Sequence, residues 1–209
     1  RMDRELLVNT YWQSNALLMF KRANKYFPVI EPILEKYNVP DDFKFLAVIE
    51  SGLVNVVSPA GAKGVWQIMP STGRENGLEI NQNVDERYNL EKSTEVACKY
   101  LLDAKERFGS WTLAAASYNA GKNGIARRLK SQNVSDYYDL LLNEETGRYI
   151  FRIVALKEIL NHPDKYGFNY RHKDLYKPIP TYKVALDTAV SDFVKFSQQF
   201  GINYKILKL

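Results

Sequence analysis

The chain has 209 residues, 45% of them hydrophobic and 25% charged, and Lys+Arg 29 against Asp+Glu 24 leave a formal net charge of +5. That length fits one domain with a small appendage and is enough to bury a real core. A mild excess of positive charge without a basic run excludes a dedicated nucleic-acid binder, and no apolar stretch is long enough for a helical membrane span.

Cys98 is the single cysteine, so no intrachain disulfide is possible. It falls inside the most regular helical stretch with no histidine nearby and reads as a small buried hydrophobe. The start, RMDRELLVN, is not a secretory signal.

In chain order, residues 4–23 place Leu6, Leu7, Tyr11, Leu17, Leu18 and Phe20 without one clean stripe, which suggests a broken helix across the main body. A short helix follows over 29–37, with Pro28 or Pro32 near its first turn, stopping at Asn38 before Pro40. Asp41 or Asp42 then suits an N-cap. Residues 51–64 hold three glycines and Pro59 and read as an irregular loop, with a further helix starting near Pro70. Leu90–Phe108 is the clearest helix, stopped by Gly109; Trp111–Ala120 is Ala-rich and closed by Gly121. The last long helix spans 144–160, with Tyr149, Ile153, Leu156 and Leu160 on its stripe. The fold class is mainly α.

After His162-Pro163 the texture changes. Residues 164–181 are rich in Tyr and Lys and read as a linker, so residues 1–162 form the main domain and 163–209 a linker with a small α/β extension. TYKVALD alternates like a strand, with Tyr182, Val184 and Leu186 on one side. A small helix over 191–200 is stopped by Gly201, and Asn203 is placed to cap a further turn.

One residue stands out chemically. Phe43, Leu46, Ala47 and Glu50 fall at i, i+3, i+4 and i+7, which puts a lone carboxylate on the inward face of a helix. Burial disfavours the charged form and raises the pKa, which suits a group that carries a proton near neutral pH. A solvent-facing or Lys-paired Glu is the alternative from spacing alone. Between Glu50 and Glu75 there is no second acid; Asp85, Glu86, Glu144 and Glu145 can approach only through the fold. No metal site is expected, because His162 and His172 have no Cys within reach. The glycine-rich stretch lacks the Walker pattern and a preceding strand, and no cofactor is expected.

GVWQIMPSTG begins fourteen positions after Glu50, followed by AAASYNAG at 114–121 and EETGRY at 144–149. In that order and spacing, over roughly residues 25–162, the chain resembles the Slt-type lytic transglycosylases, most closely the membrane-bound lytic transglycosylase D branch. The resemblance implies a lysozyme-like helical domain acting on peptidoglycan glycan strands. A single Glu, here Glu50, would protonate the bond between N-acetylmuramic acid and N-acetylglucosamine. It would then deprotonate the muramoyl 6-hydroxyl, which closes a 1,6-anhydro ring.

The same resemblance implies supporting roles. Ser51 belongs to the Glu-Ser pair, with a structural or functional role. Ser58 matches a Ser that hydrogen-bonds near the Glu and substrate, in a loop one residue shorter than the family pattern. Gln67 matches a glycan-contacting amide and Met69 a cleft-lining position, with core filler as the alternative for Met69. Tyr118 is placed to bond Glu50, or to be a core Tyr, and Asn119 to brace its loop. Glu145 and Tyr149, four apart on one helical face, match a late Glu and Tyr flanking the cleft. A surface Glu beside a core Tyr is the bland alternative. Residues 181–203 resemble the front of a LysM glycan-binding module, without the usual Gly-Asp or a closing strand; a packing appendage is the alternative.

The resemblance further implies a monomer in the bacterial cell envelope, periplasmic or outer-membrane-anchored, from whose sequence the export signal or anchor has been lost. A goose-type-lysozyme-like hydrolase and a non-catalytic murein-binding protein are the rival readings.

Overall fold

The computed structural model describes residues 1–207. It divides into two compact units, Arg1–Pro178 and Ile179–Leu209. The fold is mainly α: among the described residues the only β pairing is a set of isolated antiparallel bridges.

The first unit opens with α1 (Met2–Tyr11) and α2 (Gln13–Lys36), separated at Trp12, whose φ −87° and ψ 62° leave the helical region. The expected break is therefore real. The separate helix expected over 29–37 is not, because α2 runs unbroken through Pro28 and Pro32. Both prolines are exposed, so the carbonyls they leave unbonded face water. Meanwhile Ala16, Met19, Phe20, Ala23, Ile30 and Leu34 are buried along the helix, and that burial keeps it continuous through both prolines.

A 3₁₀ turn, Asp41–Phe43, leads into α3 (Lys44–Ser51). The expected aspartate cap does not form: Asp41 accepts from Lys44 Nζ at 2.6 Å and Asp42 from Lys157 Nζ at 2.7 Å. Phe45, Leu46, Ala47, Val48 and Ile49 are all buried, so α3 is a central helix enclosed on nearly every side.

The loop after α3 is organised by buried polar groups. Trp66 is fully buried and its indole N–H donates to Thr94 Oγ1 at 2.7 Å. Arg87, also buried, clasps Asp85 through Nε (2.8 Å) and Nη2 (2.7 Å) and donates Nη1 to the Gly61 (2.8 Å) and Ile68 (3.2 Å) carbonyls. Gly64 has φ +80°, and a Cβ there would lie 2.2 Å from the Arg87 carbonyl oxygen, so this crossing requires glycine.

The remaining helices are α4 (Pro70–Glu75), α5 (Leu90–Phe108), α6 (Trp111–Ala120), α7 (Lys122–Gln132) and α8 (Glu144–Asn161). Asn89, Ser110 and Asn143 cap α5, α6 and α8. The sequence reading did not include α7, whose single fully buried residue is Ile125. α8 packs against α1, α3 and α6. Cys98 is buried in α5 and its thiol is pushed up to about 12 by desolvation, as befits a core residue.

Residues 163–178 are not a linker. Phe168 is buried against Phe20, with ring centroids 5.3 Å apart, and Tyr170 stacks at 5.0 Å from the same ring. In the second unit, Asp192 caps α9 (Phe193–Gln199), and Asn203 Oδ1 accepts from Ile206 at the start of α10 (Tyr204–Leu207). The strand expected over TYKVALD does not form: Tyr182, Val184 and Leu186 are exposed. A strand needs a ladder partner, and no described segment supplies one.

Candidate active site

Glu50 occupies the last turn of α3, one residue before its end. Gly52, with φ +61°, turns the chain away in the left-handed region that glycine adopts without strain. Ser51 Oγ donates to the Val65 carbonyl at 2.7 Å, fastening this helix end to the loop that carries Trp66 and Gln67.

The Tyr149 hydroxyl, brought in by α8, donates to Glu50 Oε1. Burial raises the Glu50 pKa above its ordinary value; the Tyr149 hydrogen bond and the Arg152 charge oppose that shift, and the Glu145 charge adds to it. Burial, and then the nearby Glu50 charge, push the Tyr149 phenol well above its usual value, so it stays a proton donor. The result is a carboxyl whose proton affinity is raised by its desolvated setting, with a fixed donor aimed at one oxygen.

Glu50 opens into a cavity of about 730 Å³. Its lining includes Glu5, Asn9, Trp12, Asn15 and Arg22 from α1, α2 and their junction, and Glu144, Glu145, Arg148 and Arg152 from α8. A second cavity of about 220 Å³ is lined by Gln67, Met69, Tyr118 and Asn119, among others. Asn119 links the two linings: its Nδ2 donates to Glu145 Oε1 at 2.9 Å, and its Oδ1 accepts from Thr146 Oγ1 at 2.7 Å.

A helical frame with one buried, tyrosine-held Glu above a polar cleft is what the motifs of the sequence lead one to compare with known families. A family model described as "Transglycosylase SLT domain" matches residues 28–141. The chain belongs to this family. A second, described as "Soluble lytic transglycosylase C-terminal LysM-like domain", matches residues 182–209. Two relatives named "Membrane-bound lytic murein transglycosylase D", from Escherichia coli K12 and from Escherichia coli O6:H1 strain CFT073, are each 31% identical over 193 residues, 90% of this chain. The chain spans 42% of the length of these curated relatives.

Within the SLT fold, the expected residues fall into two groups. Glu50, Tyr149, Glu145 and Asn119 form one connected cluster, and Gln67, Met69 and Tyr118 line the adjoining cavity. Tyr118 does not bond Glu50; its hydroxyl donates to the Trp66 carbonyl at 2.7 Å, bracing the Trp66–Gln67 turn. Ser58 lines neither cavity: its Oγ accepts from the Ala62 N–H at 3.0 Å and closes its own short turn, the part of the loop shorter than the family pattern. Gln67, at φ 49°, donates Nε2 to the Gly64 (2.8 Å) and Val56 (3.1 Å) carbonyls. Its amide oxygen remains for a ligand.

Of the acids considered as partners for Glu50, Asp85 is committed to Arg87 and Lys63, and Glu86 to Lys92 and the Glu79 N–H. Glu144 lines the main cavity but is paired with Arg4 and Arg148. Among the described residues, Glu145 is the remaining acid considered there that lines that cavity without a cation partner. Sequence reasoning missed Arg152, Arg22 and the wall from α1 and α2. The spacing of 144, 148, 152 and 156 along one face of α8 is the signal that marks Arg152.

Proposed function

We propose that the chain is a peptidoglycan lytic transglycosylase whose single acid/base is Glu50. The observation that carries this reading is the desolvated Glu50 carboxyl with Tyr149 donating to it. The protonated carboxyl gives its proton to the glycosidic oxygen as the bond between C1 of N-acetylmuramic acid and that oxygen breaks. The carboxylate so formed accepts two stabilising influences already in place, the Tyr149 hydroxyl and the Arg152 charge. It then takes the proton of the muramoyl 6-hydroxyl, whose oxygen bonds C1 and closes the 1,6-anhydro ring. Glu50 is back in its starting state and no water is consumed.

Gln67, Met69 and Glu145 contact glycan in this reading, while Tyr118, Asn119, Ser51 and Ser58 hold the elements that carry them. The match over 182–209 favours a glycan-holding role for the second unit over a mere packing appendage. In this reading the chain works in the bacterial envelope as a monomer without a cofactor; the relatives' names, which specify a membrane-bound enzyme and murein, support the envelope and the substrate.

Glu50→Gln tests the assignment. The variant is expected to bind sacculi and cleave none; persistent turnover would remove Glu50 from the mechanism. A second reading has one observation in its favour. Glu145 lines the cavity of Glu50, so it is the candidate second carboxylate of a hydrolase, activating water. Glu145→Gln separates the two: an anhydro-forming enzyme is slowed, whereas a two-carboxylate hydrolase is inactivated.

A further inference from the structure

Three arginines line the Glu50 cavity, and their commitments differ. Arg148 is neutralised by Glu5 (Nε–Oε1 2.6 Å) and Glu144 (Nη1–Oε1 3.1 Å). Arg22 and Arg152 have no carboxylate within ion-pair distance among the described residues. Each donates one N–H to a backbone carbonyl at the end of α3: Arg22 Nη1 to Gly52 O at 3.0 Å, and Arg152 Nη2 to Ile49 O at 3.2 Å.

Those bonds fix both guanidinium groups at the end of the helix that carries Glu50. A guanidinium has five donors in a planar fork suited to a carboxylate, so each of these retains four. Both are partly exposed and line a cavity large enough for several residues of ligand. The acids nearby are engaged by other groups: Glu50 accepts from Tyr149, and Glu145 accepts from Asn119.

Arg22, from α2, lies ahead of the matched span 28–141 and Arg152, from α8, lies after it, so both members of the pair are outside the matched span. A neutral sugar ring gives a paired cation little to bind. A peptide stem, joined by an amide to the muramoyl lactyl group, carries free carboxylates further along its own residues.

We propose that Arg22 and Arg152 form a subsite for a carboxylate of the stem peptide, and that the chain therefore prefers stems with free carboxylates over stems whose carboxylates are amidated. The inference rests on the transglycosylase reading for its substrate class.

The test compares glycan strands whose stem carboxylates are free with strands whose stem carboxylates have been amidated, for the wild type, Arg22→Gln, Arg22→Lys and Arg152→Gln. Both kcat/KM and the affinity from sedimentation are measured. The wild type should favour the strands with free stem carboxylates, and this preference ratio should fall about tenfold in Arg22→Gln, chiefly through KM. It should fall less in Arg22→Lys, which keeps the charge and loses the fork, and should fall with added salt. An unchanged ratio in Arg22→Gln and Arg152→Gln, with only a lowered Tm, would mean that the arginines merely cap α3, and the proposal fails. A wild type without preference also overturns it. If the wild type binds both strands and cleaves neither, the transglycosylase reading falls, and the affinity ratio alone decides the subsite.

Discussion

The Tyr149 hydroxyl donates to Glu50 Oε1 across 99 positions of chain, joining the end of α3 to the middle of α8. Nothing in the local sequence of either helix builds this contact. α8 also packs on α1 and α6, so the acid/base pair is held by the whole helical frame. A carboxyl whose proton affinity is raised by burial has consequences for stability as well as for rate.

The pKa of Glu50 is raised in the folded chain, chiefly by burial. The folded state therefore binds a proton more tightly than the unfolded one. The stability this confers is full below the ordinary carboxylate range and is lost as pH rises through the raised value. Glu50→Gln removes that loss while keeping an oxygen to accept from Tyr149. Its Tm should exceed that of the wild type, with a gap that widens from acid towards neutral pH and then levels off. Calorimetry across pH checks this, and a constant gap would argue against a buried, protonated Glu50.

Tyr149→Phe deletes the one hydrogen bond that offsets the burial of Glu50. A hydrogen bond to a charged group contributes roughly 1.5–3 kcal/mol, which converts to a rate loss of about 10- to 100-fold. The descending, alkaline limb of the pH–rate profile should move up, because the first step needs the protonated acid.

Tyr118→Phe gives a contrasting result. The Tyr118 hydroxyl donates to the Trp66 carbonyl, so its loss loosens the Gln67 turn. Turnover is expected to fall by about tenfold or less, the scale of one neutral hydrogen bond, with the alkaline limb in its wild-type place. Steady-state kinetics over pH for both variants provide the check, and an equal shift in both would contradict the separate roles.

Asp85→Asn tests the loop scaffold. The Arg87 guanidinium holds the Asp85 carboxyl below its usual value, and Arg87 is buried. Breaking a buried pair by removing one partner costs about 3–5 kcal/mol, and denaturant unfolding should register a loss of that order at neutral pH. With the wild-type pKa lowered, the pair's contribution is present above the ordinary carboxylate range and is lost as pH falls through the lowered value. The wild type and variant should therefore converge in acid.

The sequence carried much of this in advance, for reasons of local chemistry. Leu90–Phe108 and Trp111–Ala120 match their expected bounds because periodicity, side-chain caps and terminal glycines agree at both. The inward placement of Glu50 followed from four residues on one stripe. What escaped was long-range or depended on competition. Pro28 and Pro32 signal a boundary locally, but the buried stripe of α2 overrides them. TYKVALD has strand periodicity without a partner to pair with. α7 is too polar to announce itself, since Ile125 alone is fully buried. Of the two readings open for Tyr118, a bond to Glu50 or a core position, its hydroxyl makes no bond to Glu50 and donates to the Trp66 carbonyl, because a motif does not decide between a carboxylate and a backbone carbonyl. Arg22, Arg152 and Trp12 reach the cavity only through the packing of α1, α2 and α8.

The mass of the product ends tests the central claim most directly. Purified peptidoglycan digested by the chain should release muropeptides ending in 1,6-anhydromuramoyl groups, each lighter by one water than a reducing-end product, and digestion in heavy-oxygen water should leave them unlabelled. Reducing ends carrying the label would contradict the single-carboxylate mechanism and pass the base role to Glu145.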